Sequence, residues 1–227
     1  MVSKTQMAAS SDSVDSHDLD LECGELRSCN NRTHAYHMGG ENFVGGVHQG
    51  NNRDDIQKTT FATDVSSTQT GTLAIATSDG GCCSGPLAGY KTGIRGTTTG
   101  ALQKYIFATD VNATNLGVLS FNNNDRAHTC ASETHGYVQG GQSSDVIESF
   151  LFSNEATKTD VGNLESGLDY GCACSSTTYG YTMTGTGTGN AQRIQRFSFA
   201  SQVEDSSQTS LSGHGTWGQS GLSNGQE

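Results

Sequence analysis

The residues of this chain best equipped for chemistry are its seven cysteines, and four of them share one spacing. Cys29, Cys83, Cys130 and Cys174 each stand seven residues before a tyrosine: Tyr36, Tyr90, Tyr137 and Tyr181. A ring of thiolates at equivalent positions would be a metal or redox site. Zinc needs its ligands at about 2.3 Å, and equivalent positions on separate structural units are expected to lie further apart. Cys82-Cys83 and Cys172-Ala173-Cys174 also miss the usual zinc spacing. A disulfide framework is a further alternative, weakened by an odd count and by a chain too long to need one. The bland reading is favoured: small, apolar-behaving side chains packed where structural units crowd together, reduced and metal-free.

Histidines recur as well. His34, His135 and His214 take one repeat position, and no second motif joins them into a ligand set, so they read as strand or turn residues. Asp64 and Asp110 sit in Ala-Thr-Asp-Val segments, where Asx-turn chemistry accounts for them without calcium. The glycine-rich run at 184–190 lacks the Gly-Lys-Ser/Thr of a phosphate loop. His-Glu-x-x-His and P-loop motifs are absent from the sequence, and no cofactor is expected. Ser212–Trp217 echoes the Asp-box of sialidases without its aspartate.

The elements that must position these residues are written in the composition. Of 227 residues, Leu, Ile, Val and Phe make up about 17%, below the roughly 20% at which disorder becomes the default. The chain is nevertheless rich in Gly, Thr, Ser and Asn, not in Pro, Glu and Lys. That is the profile of a turn-dense β protein. A helical bundle is excluded by the shortage of good helix formers. Twelve Lys and Arg against 23 Asp and Glu exclude the electrostatic footprint of a nucleic-acid binder. No apolar stretch approaches the roughly 20 residues of a membrane span. The start of the sequence lacks the apolar core of a Sec signal, so no signal-directed export is expected.

A repeat organises the chain. Phe61–Leu73 and Phe107–Leu119 are close copies, Phe152–Leu164 and Phe197–Leu211 weaker ones, and Val14–Leu26 a worn one. Gly24, Gly71, Gly117, Gly162 and Thr209 mark the same place in each, with steps of 47, 46, 45 and 47 residues. Each tyrosine motif is followed by a Gly/Ser/Asn-rich stretch and then an alternating segment ending in Phe61, Phe107, Phe152 or Phe199, which reads as a strand. A unit of about 46 residues holds four short strands. Such a sheet cannot bury both faces alone and must stack on its neighbours. The two chain ends carry complementary parts of one unit, and joining them closes a ring without exposed sheet edges. The expectation is an all-β, five-bladed β-propeller over residues 14–227, preceded by an N-terminal arm, 1–13. Its closing blade pairs the chain before about Leu26 with the chain after about Gly213.

The phrase Tyr-x-x-Gly-Gly, a Gly/Ser loop, Ile-x-x-Phe-x-Phe and Gly-x-Leu resembles a shortened kelch-type repeat, in which Gly-Gly ends the second strand of a blade and the cysteine strand is innermost. Gly-Gly is intact at Gly39-Gly40 and Gly140-Gly141 only. The first unit has Ala9, Asp12 and Val14 where the alternating strand would stand, and the fifth has Thr216 and Trp217 where others have Gly-Tyr. The longer phrase through Phe107–Leu119 and Tyr137–Gly141 is similar to repeat proteins of tailed, especially marine, bacteriophages. That resemblance implies a non-enzymatic virion protein, a tail, fibre or capsid-surface module present in several copies. It would contact other virion proteins and be released by lysis from the host cytoplasm. A glycan-binding propeller with stacking supplied by Tyr36, Tyr90, Tyr137, Tyr181 and Trp217 is the alternative. An enzyme of galactose-oxidase type lacks its ligands here.

Overall fold

The computed structural model describes residues 2–4, 14–63, 65–93, 100–120, 126–141, 144–167, 169–183, 193–202 and 204–210. Among them there is no helix, and every strand pairing is antiparallel.

The chain begins with a two-stranded pair, β1 (Val2–Lys4) and β2 (Val14–His17), followed by the short β3 (Cys23–Gly24). The first blade then runs β4 (Arg27–Asn30) and β5 (His34–Met38). A hairpin, β6 (Glu41–Val44) and β7 (Val47–Asn52), intervenes before β8 (Asp55–Thr60) and β9 (Thr68–Thr72) complete that blade. The second blade is β10 (Cys82–Ser84), β11 (Ala88–Thr92), β12 (Ala101–Ile106) and β13 (Thr114–Val118). The third is β14 (His128–Ala131), β15 (His135–Gly141), β16 (Ser144–Leu151) and β17 (Asn154–Asn163). The fourth is β18 (Cys172–Ser175), β19 (Tyr179–Met183), β20 (Arg193–Ser198) and β21 (Glu204–Ser210). Strand order in each four-stranded sheet follows the sequence, and apart from the β6–β7 insertion in the first blade each strand pairs with the next one in the chain. The first strands β4, β10, β14 and β18 pack on one another in that order and form the inner edge of the arc of blades.

The alternating segments form the third strands, but each strand stops one residue before its expected terminal aromatic. Phe61, Phe107, Phe152 and Phe199 donate their N–H to Thr33, Leu87, Thr134 and Thr178 carbonyls in the turn between first and second strands. That bond anchors the ring without extending the strand. Gly39, Gly93 and Gly140, each three residues after a repeat tyrosine, have φ of 64°, 83° and 62° where the second strand ends. Glycine carries this left-handed turn at no steric cost.

Two stretches differ from expectation. The glycine- and asparagine-rich segment after Met38 forms the β6–β7 hairpin, which joins β3 in a separate three-stranded sheet. Phe43-Val44 and Val47-His48 flank Gly45-Gly46, whose φ values of 56° and 77° fit a tight two-residue hairpin. Within the expected arm 1–13, Val2–Lys4 is strand β1. Its register with β2 runs Val2↔His17 and Lys4↔Val14, with the irregularity just after Val2. The β8–β9 pair has Ile56↔Gly71 and Lys58↔Thr68 with its bulge just after Ile56. The N-terminal pair therefore has the register of a third and fourth strand, and in that register His17, not Gly24, stands at the Gly71 position, so the expected alignment of Val14–Leu26 with Phe61–Leu73 is displaced by seven residues.

Candidate functional site

The residues singled out for chemistry gather at the seams between blades. Antiparallel pairing across a short turn turns the seven-residue spacing into direct opposition: Cys29↔Tyr36, Cys83↔Tyr90, Cys130↔Tyr137 and Cys174↔Tyr181. The turn itself repeats, with Asn31, Gly85, Ser132 and Ser176 donating to the carbonyls of His34, Ala88, His135 and Tyr179 at 2.8–3.0 Å.

Tyr36, Tyr90 and Tyr137 each lie between two aromatics of the next blade. Tyr36 stacks on Phe107, Tyr90 on Phe152 and Tyr137 on Phe199, at centroid distances of 4.7, 5.2 and 4.9 Å. Tyr105, Phe150 and Phe197 tilt against the same three rings at 5.0–5.4 Å. Tyr36, Tyr90 and Tyr137 are buried. Such ring pairs add about 0.5–1.5 kcal/mol each beyond the area they bury. Tyr181, on the forward face of the fourth blade, is only half-buried, and Phe61, on the rear face of the first, is 53% exposed.

The thiols follow the same plan. Cys29, Cys83 and Cys130 are buried and Cys174 half-buried. A Cβ on Gly89 of the second blade would collide with the Cys29 sulfur, and one on Gly180 of the fourth would come within 2.8 Å of the Cys130 sulfur. The thiols thus fill space left by glycine in the facing strand. Burial pushes the Cys29, Cys83, Cys130 and Cys174 thiols up, and Cys172 to about 11. They are held as protonated thiols, the reverse of the lowered pKa that a nucleophile or metal ligand requires. All seven cysteines are free, and among the described residues no three His, Cys, Asp or Glu side chains converge as a metal-binding group.

Ion pairs cross two seams. Lys58 reaches Asp110 of the second blade at 2.5 Å, and Asp110 also accepts from the Tyr105 hydroxyl at 3.0 Å. Lys104 reaches Glu155 of the third blade at 2.5 Å, and Glu155 accepts from Tyr90 at 2.9 Å. Burial pushes both carboxyls up, and these hydrogen bonds more than reverse it, leaving Asp110 and Glu155 below the ordinary carboxylate range. Asp110 therefore does not serve a local Asx turn as expected. A φ of 48° at this residue accompanies a carboxylate that bridges to the neighbouring blade. Asp64, the glycine-rich run 184–190, His214 and the Ser212–Trp217 segment lie outside the described residues. His34 and His135 each bring Nδ1 within 2.8 Å of the preceding threonine hydroxyl and lie beside their tyrosines, as turn residues do.

A seam device missed in the sequence is the polar residue directly after the Ile or Leu of each third strand. Gln57, Gln103, Glu148 and Gln195 are at most 2% exposed. Their side-chain oxygens accept from the backbone N–H of Leu21, Ile75, Ser120 and Glu165, in the segments leaving the preceding unit, at 2.7–3.2 Å. Polar residues after Ile or Leu in an otherwise apolar strand are the signal that could have found them. The Leu21 contact extends the pattern to the segment that follows β2.

Two cavities open at the outer ends of seams. One, about 290 Å³, lies by Pro86, Leu87 and Phe152, with Lys104 at its side. The other, about 130 Å³, lies between the third and fourth blades.

This is the architecture of a β-propeller-like protein: consecutive four-stranded antiparallel sheets stacked about their first strands. No protein family matches the chain, and no curated protein does. Solved structures do, among them the structure of YjhT, a kelch-type β-propeller. It aligns with a TM-score of 0.66 at 11% identity, over 85% of this chain and 72% of that one. At that identity the likeness speaks for the fold alone.

Proposed function

We propose that the chain is a five-bladed β-propeller acting as a non-enzymatic structural module of a bacteriophage particle, a tail, fibre or capsid-surface component held by protein–protein contacts. The ring reading rests on the N-terminal pair. β1–β2 carries the register of a third and fourth strand, and the segment after it makes the seam contact with Gln57. A fifth blade completed by the segment after β21 would fill the space between the two less buried blade faces.

One observation carries the functional reading: the groups with chemical potential are spent on holding blades together. Buried thiols, stacked tyrosines and lysine–carboxylate pairs occupy equivalent seam positions, where they bind one blade to the next. A rigid body with polar connecting loops suits a scaffold that docks on its neighbours. The phage-type repeat phrase and the formal charge of −11 agree with an exposed particle component. The particle interface is expected to bury about 1,200–2,000 Å² in total. Mass spectrometry of purified particles tests the proposal. The chain should be found in them in several copies, and its absence, with turnover of a sugar or alcohol by the isolated protein, would defeat it.

A further inference from the structure

The seams are built to one pattern, so the seam that departs from it is informative. Two positions define the ion pair: the third residue of the Ile/Leu-Gln/Glu-x segment, and the residue three past the stacked phenylalanine. The first seam has Lys58 and Asp110, the second Lys104 and Glu155. At the third seam the same positions hold Ser149 and Gln202. Gln202 keeps the left-handed backbone of Asp110, with φ of 53° against 48°. It also keeps that residue's place beside an aromatic hydroxyl, here Tyr137. What is lost is the charge and the length of the lysine. In its place is a cavity of about 130 Å³, lined by Ser149, Thr157, Thr159, His135 and Gln202, with Phe150 and Val161 supplying apolar wall.

We infer that this cavity between the third and fourth blades is a binding subsite for a small neutral polyol, one sugar ring or part of one. Among the described residues, every polar side chain lining it is a hydroxyl, an amide or an imidazole, and no carboxylate or ammonium lines it to select an ion. Hydroxyls and an amide donate and accept together, as sugar hydroxyls do, and a small apolar wall beside them is the usual composition of a ligand site. Burial lowers the His135 pKa, which keeps the imidazole neutral and able to act as donor or acceptor. At this size the cavity engages one ring edge, so affinity in the millimolar range is expected for a monosaccharide. Gain over a host surface would come from several copies on one particle. The subsite adds a ligand class to the particle-module reading and does not depend on it, because it is tested on the isolated protein.

The experiment is a titration of the isotopically labelled full chain with glucose, galactose and N-acetylglucosamine, followed by backbone amide shifts. Shifts are expected at Ser149, Thr157, Thr159 and Gln202 with at least one of these sugars. The double substitution Ser149→Lys with Gln202→Glu installs the ion pair of the neighbouring seams and fills the cavity. It should weaken binding at least tenfold while leaving the rest of the spectrum in place. Thr159→Val, on an exposed strand and close in shape, should weaken binding as well and stands in if the double variant does not fold. Absence of shifts at these amides with all three sugars, or shifts that survive Thr159→Val and the double substitution unchanged, would overturn the inference. Sugar binding without particle incorporation, or the reverse, separates this result from the particle test.

Discussion

The seam between the second and third blades and the two ends of the arc use the same residue positions with different results. At the seam Tyr90 is 2% exposed and stacked on Phe152. On the forward face of the fourth blade the equivalent Tyr181 is half-buried. On the rear face of the first blade, Asn30 and Phe61 are exposed, while Ser84 and Phe107, their counterparts in the second blade, are partly buried. In the tyrosine and phenylalanine pairs residue type is held constant, so the neighbouring sheet decides burial. Each blade contributes half of a core and borrows the other half. Stability should therefore fall unevenly when equivalent residues are changed.

The largest effect is expected from removing β1 and β2. Deleting residues 1–17 takes away both strands of the N-terminal pair and, in a ring of five, opens two sheet edges. The variant should elute as large assemblies, measured by size-exclusion chromatography with light scattering. A monomer with an unchanged melting temperature would show that the first blade's rear face needs no cover from these strands.

Next are paired truncations that measure the comparison itself. Tyr137→Ala removes a fully buried ring from an aromatic sandwich and should cost about 3–5 kcal/mol in denaturant unfolding. Tyr181→Ala, at a half-buried copy of the position, should cost clearly less. Equal losses would mean that the fourth blade is covered as tightly as the third, and would strengthen the case for a complete fifth blade.

An acid titration sharpens the contrast between the inner edge and the outer seam ends. His128, buried on the first strand of the third blade, has its pKa lowered to about 4, by burial and then by Arg27. Below about 6.5 the unfolded chain binds a proton that the native histidine refuses until about 4, so stability must fall as pH drops through that window. The loss is on the order of 3 kcal/mol. His128→Gln should flatten the curve between pH 6.5 and 4. The lowered carboxyls of Asp110 and Glu155 act at lower pH. Their contribution is present above the ordinary carboxylate pKa and is lost as pH falls through the depressed folded value, so it should persist in His128→Gln. An unaltered slope in that variant would remove His128 from the account.

Much of this arrangement was legible in the sequence because repetition makes even distant geometry local. The cysteine–tyrosine spacing became a cross-strand pair, and the alternating segments became third strands, since a short hairpin converts spacing into register. What escaped were contacts that cross blades. Lys58 and Asp110 are 52 residues apart, and nothing periodic near either one announces the other. Gln57, Gln103, Glu148 and Gln195 look like solvent-facing members of alternating strands until the segment leaving the previous unit covers them. The β6–β7 hairpin was hidden by composition: glycine and asparagine suggested a loop, although Gly45-Gly46 between Phe43-Val44 and Val47 is a strong hairpin signal. The cavity at the third seam is visible only by comparing Ser149 and Gln202 with the ion pairs of their counterparts.

The smallest expected effect addresses the closing seam. Lys4 opposes Val14 in β1–β2 as Lys58 opposes Thr68 in β8–β9. Asp64 stands three residues past Phe61, as Asp110 stands past Phe107. In a ring of five these two residues take the positions of the seam ion pair between the last blade and the first. Partly exposed pairs contribute about 0.2–1 kcal/mol, so each single change will be modest, and the coupling between them is what matters. Lys4→Asp and Asp64→Lys should each destabilise through like-charge contact, and the double exchange should recover most of the loss. The same cycle on Lys58 and Asp110, whose contact is observed, calibrates the size of the coupling. Low ionic strength should enlarge the Lys58–Asp110 coupling, and the Lys4–Asp64 coupling with it if the two residues pair. A coupling for Lys58 and Asp110 with strict additivity for Lys4 and Asp64 would mean that β1 does not sit against the first blade as a third strand should, and the ring would have to close in another way.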